Sequence, residues 1–143
     1  MPVVFSDKGG GQMRRAHLIF GLMLFVVFLI TGQFMRADFP DKEAISQELR
    51  LLMRSRHIYI LFSALLHVVL GIYLRNTSGG WRLLARYGGS LVLFGASVLL
   101  VWAFVAETYW HLGYSDLSRF GIYSSLLGTA LHVIGGIGRE REP

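Results

Sequence analysis

A chain of 143 residues that is 53% hydrophobic and only 16% charged, with its apolar residues gathered into long runs, has the composition of a membrane protein. Zero cysteines exclude disulfides, thiolate metal sites, iron–sulfur ligation and covalent c-type haem attachment. The net charge of +5 lacks any basic patch interleaved with aromatics, so it reads as membrane topology and anionic-lipid contact, with no nucleic-acid partner.

Taken in chain order, the first element is an apolar run over residues 16–35. It is longer than the h-region of a secretory signal, and "TGQFMRADFP" behind it lacks a small-x-small cleavage pattern, so it is expected to stay as an anchor. Residues 40–56 follow as an interfacial helix: Pro40 suits a first turn, acids stand at its start and arginines at its end, and Ile45, Leu49, Leu52 and Met53 recur at helical spacing. Further apolar runs at 57–74, 87–106 and 120–138 each approach the roughly 20 residues that cross a 30 Å hydrocarbon core. "NTSGG" at 76–80 and "TYWHLGYSD" at 108–116 are the short connections, and Trp102, Tyr109, Trp110 and Tyr114 supply an interfacial aromatic belt. The expected fold is a single-domain, all-α membrane protein, an up-down bundle of four transmembrane helices with an interfacial helix between spans one and two.

Basic residues set the expected orientation. Lys8, Arg14, Arg15, Arg75, Arg82, Arg86, Arg139 and Arg141 share one face; Arg36, Lys42, Arg50, Arg54, Arg56 and Arg119 share the other. The bias places both termini on the cytoplasmic side, in a bacterial cytoplasmic (inner) membrane.

One heptapeptide occurs twice. "LHVVLGI" at 66–72 returns as "LHVIGGI" at 131–137, with a histidine second in each. His67 lies eight residues before Arg75 and His132 seven before Arg139, which at 1.5 Å per residue puts both imidazoles at about the same depth. Ser63 and Gly71 flank His67 at i−4 and i+4, and Gly128 and Gly136 flank His132. Two readings fit small residues above and below a ring. In one, a planar porphyrin lies between the helices, the histidines are its axial ligands, and Arg75, Arg82, Arg86 or Arg139 reach the propionates. In the other, the small residues let two helices approach closely and the histidines hydrogen-bond across the interface. A proton or metal role is the third reading of ionisable groups at this depth.

"RRAHLIFGLMLFVVFLITGQFM" and "RHIYILFSALLHVVLGIYLR" resemble the first and second helices of small four-helix membrane b-type cytochromes, over about residues 14–75. The resemblance implies haem b, an electron-transfer role with quinone among the partners, and His17, His57 or His67 as ligands. Di-haem members carry two histidines on the last helix; here only His132 is present, and Ser118 or Arg119 stands at the other position, which leaves at most one haem. His17 is some five residues shallower than His132, so His67 matches it better in height.

At the opposite face His57, His111 and Glu107 have the composition of a two-histidine, one-carboxylate site for a divalent metal or a quinone. Glu107 ends an apolar span, where a carboxylate is either buried or marks the exit from lipid. The expected function is therefore a b-type electron-transfer protein with one haem between spans two and four on His67 and His132. The alternative is a non-catalytic accessory subunit packed against other membrane-protein subunits in the bilayer.

Overall fold

The computed structural model describes residues 8–38, 46–74, 80–110 and 116–136. These form four helices: α1 (Lys8–Asp38), α2 (Gln47–Tyr73), α3 (Trp81–Thr108) and α4 (Asp116–Gly136). α1, from Gly11, and all of α2 and α3 are long and apolar enough to cross a membrane. Among the described residues, α4 does not reach that measure, so three of the four expected spans are supported and the fourth is not. Its sequence explains why: Ser118, Gly121, Ser125, Gly128, His132 and Gly135 form one small or polar buried stripe that dilutes its apolar content.

α2 runs unbroken from Gln47, so residues 47–56 and span two are one helix. Its first turn is set by Ser46, whose hydroxyl accepts from Leu49 N at 3.3 Å, with Glu48 beside the positive end of the helix. The expected start at Pro40 lies outside the described residues. At the other end of α2, the last carbonyls lack helical partners, and Arg14 of α1 reaches Gly71 O at 3.4 Å and Ile72 O at 3.2 Å. α3 opens at Gly80, whose φ of 80° suits a residue without a Cβ.

The helices alternate in direction. α1 packs chiefly on α2 and α3 on α4, and the two hairpins meet along α2 and α3. Within each hairpin the backbones nearly touch. A Cβ on Gly71 would lie 2.8 Å from Leu18 Cα, and one on Gly128 would lie 2.9 Å from Gly89 O. Ile60, Leu93, Ala96, Leu100, Ala103 and Phe104 fill the seam between α2, α3 and α4. Outward, the bundle shows a broad apolar belt that includes Ile19, Leu22, Val26, Ile30, Leu65, Leu84 and Leu91. A continuous apolar exterior around a polar interior is the arrangement of a protein solvated by lipid. Trp102 and Trp110 are exposed in mutual contact at 5.2 Å, as an interfacial belt requires, while Tyr114 lies outside the described residues.

Candidate functional site

The polar interior has two levels. One third of the way into the bundle from the end where α1 begins, His17, His67 and His132 converge, and the first two are 0% exposed. His17 Nδ1 meets His67 Nδ1 at 2.7 Å. His17 Nε2 lies 2.8 Å from Ser90 Oγ, which is 3.2 Å from His132 Nε2. His67 Nε2 lies 2.9 Å from Ser97 Oγ, and Ser97 in turn bonds Ser63. All four helices contribute. Phe20 and Phe94 wall the rings, with the His17 ring stacked 4.8 Å from Phe94 and that of His67 4.9 Å from Phe20.

Counting protons fixes the direction of this chain. Ser97 has one hydroxyl proton, and the carbonyl of Leu93 one turn back takes it at 2.7 Å. Ser97 Oγ is then purely an acceptor, so both Ser63 O–H and His67 Nε2–H donate to it. A neutral imidazole carries one N–H, which leaves His67 Nδ1 bare to accept from His17 Nδ1–H. His17 Nε2 is bare in consequence and accepts from Ser90 O–H. Met13 Sδ, 3.3 Å from that hydroxyl, is the weaker competitor for the proton. Ser90 Oγ accepts from His132 Nε2–H, and the count ends on His132 Nδ1, a bare acceptor that is buried with no partner among the described residues. These tautomers are inferred from the bonds and are the set in which every contact pairs one donor with one acceptor.

The second level lies nearer the opposite end of the bundle, beyond the layer of Ile60, Leu100, Ala103 and Phe104. Arg56 Nε donates to Glu107 Oε2 at 2.7 Å, and Ser118 donates to Glu107 from its backbone N, at 2.9 Å, and from its hydroxyl. Glu107 is therefore a buried, fully partnered carboxylate that ties α2, α3 and the first turn of α4 together. His57 is committed elsewhere: its Nδ1 lies 3.1 Å from Thr31 Oγ1 and its ring stacks on Phe28 at 4.1 Å. His111 lies outside the described residues. Among the described residues, no three His, Asp or Glu side chains are arranged to hold a metal ion, at this level or at the first.

Of the ten positions assigned to a porphyrin slot between α2 and α4, eight lie among the described residues, Arg82 and Arg86 of α3 included. His67 and His132 share the first level, as their repeat implies, but their Nε2 atoms turn to Ser97 and Ser90 instead of to a common centre. Ser63 extends the chain. Gly71 faces the α1 backbone, and a Cβ on Gly128 would lie 2.7 Å from Leu93 Cγ. Gly136 faces Arg86, whose Nη2 would be 3.8 Å from an added Cβ. Arg75 and Arg139 lie outside the described residues. The clearances that a flat macrocycle needs beside each ring are filled by neighbouring helices; as arranged, these residues do not fit a haem between α2 and α4.

The depth comparison set His17 aside, yet it is the ring that links the other two through Ser90. α1 begins at Lys8, two turns before the apolar run, which places His17 level with His67. Ser90 and Ser97 also escaped the sequence reading. Their signal was present, since two serines seven apart on one helical face are conspicuous in a span as apolar as 87–106. No family model, no curated protein and no solved structure matches the chain.

Proposed function

We propose that this chain is a four-span membrane protein whose histidine centre takes up a proton within the bilayer and relays it from His132 to His67. The observation that carries the reading is the bare Nδ1 of His132, the one ring nitrogen of the three at which a proton can be added without breaking a bond. A proton joining Nδ1 releases the Nε2 proton to Ser90 as Ser90 passes its own to His17 Nε2. His17 then gives its Nδ1 proton to His67, which becomes the imidazolium. Every contact still pairs a donor with an acceptor, in reversed order, and one positive charge has moved across three helices. Chains of this composition at membrane depth are the material of proton relays.

The relay is a holding site and not a through-path. The apolar layer of Ile60, Leu100, Ala103 and Phe104 separates it from the Arg56–Glu107 level, so a proton taken up at His132 returns the same way or passes to a partner. α4 belongs to the proposal as the fourth span: its 21 residues extend about 32 Å, and Phe120, Tyr123, Leu126, Leu127, Val133 and Ile134 face outward while its polar stripe faces α3. An even number of crossings would put both termini on one side.

Nitrogen-15 NMR of histidine-labelled protein in lipid tests the relay. The three rings are expected to take up a single proton as a coupled unit, and Ser90→Ala is expected to confine that proton to His132 while His17 and His67 keep neutral-ring signals. Ring signals that ignore pH wherever the fold persists would instead favour the accessory-subunit reading, in which the network only fixes helix packing. A reduced-minus-oxidised spectrum on the same preparation addresses the haem reading: a b-type α-band lost in His67→Ala and His132→Ala would replace the relay with a haem centre.

A further inference from the structure

We infer that the end of the bundle opposite the histidines holds a binding site for a phosphate group, in the cleft between α2 and the first two turns of α4. A cavity of about 240 Å³ lies there, lined by Arg56, Tyr59, Ser118, Arg119, Ile122 and Tyr123. Arg56 is 5% exposed and its guanidinium is held rigidly, Nε by Glu107 and Nη1 by Ser55 Oγ at 2.9 Å. Its Nη2 is buried and has no partner among the described residues. Glu107 cannot turn to supply one, because its two oxygens already serve Arg56 Nε and both donors of Ser118. A buried guanidinium left with an unused N–H₂ is a costly feature unless an acceptor completes it.

The rest of the lining suits the same ligand. Arg119 brings a second guanidinium whose ion pair, to Asp116 at 4.0 Å, is solvent-exposed and worth little. Tyr59 and the exposed Tyr123 stand at the lining with phenols able to donate, and Ile122 adds an apolar wall. The charges about the cleft are Arg56 and Arg119 against Glu107 and Asp116; the Glu107 charge is spent on Arg56 and Ser118, which leaves Arg56 Nη2 without an acceptor among the described residues. Paired guanidiniums with hydroxyls recognise phosphate oxygens by geometry as well as charge. The cleft lies at the end of the apolar belt, so the phosphate is carried either by a lipid headgroup or by a soluble molecule. The site is independent of the proton relay and shares with it only the membrane reading.

The test uses the full chain in detergent. Native mass spectrometry compares retention of dioleoylphosphatidylglycerol with that of dioleoylglycerol, which has the same acyl chains and no phosphate, and thermal unfolding is followed with and without inorganic phosphate. The phospholipid is expected to be retained one per chain, with apparent affinity reduced roughly tenfold in Arg119→Gln, an exposed position whose change leaves the Arg56–Glu107 pair intact. Arg56→Lys, which keeps a cation for Glu107 and removes the spare N–H₂, is expected to do the same. Phosphate stabilisation without phospholipid selectivity would assign the site to a soluble phosphate, and the reverse to a lipid headgroup. Equal retention of the two lipids with no effect of phosphate, or binding that Arg119→Gln and Arg56→Lys both leave unchanged, would overturn the site.

Discussion

Ser97 decides the polarity of the histidine chain, because its only proton is committed to Leu93 O and its oxygen must then accept twice. Ser97→Ala strips His67 Nε2–H and Ser63 O–H of their common acceptor at once, and a buried donor left unmet costs about 1–3 kcal/mol. Ser97→Thr keeps the hydroxyl and is expected to keep most of the stability, so equilibrium unfolding in mixed micelles should rank wild type, then threonine, then alanine. Glu107 is a harsher position. Glu107→Ala leaves the Arg56 guanidinium buried without its counter-charge, for which about 3–5 kcal/mol is the ordinary loss. The same unfolding measurement should therefore find Glu107→Ala less stable than Ser97→Ala; the opposite order would mean that water reaches Arg56 and screens it.

At the scale of helices, close approach and not apolar area alone holds each hairpin together. Gly128 sits against Gly89 O and Leu93, so Gly128→Val forces α3 and α4 apart, with overpacking costs of about 1–3 kcal/mol. Gly88 and Gly95, on the same two-helix unit, have nothing within 4 Å of an added Cβ, and Gly88→Ala or Gly95→Ala should be neutral or slightly stabilising. If all three substitutions shift the unfolding midpoint alike, the glycines act through helix propensity and not through packing. These contrasts also mark what could be read in advance. Apolar runs longer than about 18 residues declare the three spans without any knowledge of tertiary structure. The heptad-like return of "LH" put His67 and His132 at one level because α2 and α4 run in the same direction. The partners were not legible. Arg56 and Glu107 are 51 residues apart, and His17 and Ser90 are 73 apart, separations across which only the folded bundle sets the register. A porphyrin slot and a tight helix interface also begin from the same small residues flanking a histidine, and only the positions of Leu18, Gly89 and Leu93 separate them.

For the whole molecule, the number of crossings decides whether the proposed relay opens on the same side as the chain termini. With α4 as a span, both termini share a side, and His132 lies one turn from the end of α4 on that side. With three spans they are divided, and α4 must lie along the surface with its stripe on α3. α4 runs antiparallel along α3, from Glu107 against Ser118 to Gly89 against Gly128, and this packing is what the proposed fourth crossing rests on. The absence of cysteine makes the decisive measurement background-free. Single substitutions Ser6→Cys, Ser78→Cys, Asp116→Cys and Glu142→Cys, labelled with a membrane-impermeant maleimide in sealed vesicles of uniform orientation, should divide three to one. Ser6, Ser78 and Glu142 positions react from one side and the Asp116 position from the other. Labelling of the Glu142 position together with Asp116 would remove the fourth span, and with it the packing that brings His132 to Ser90 and completes the proposed relay.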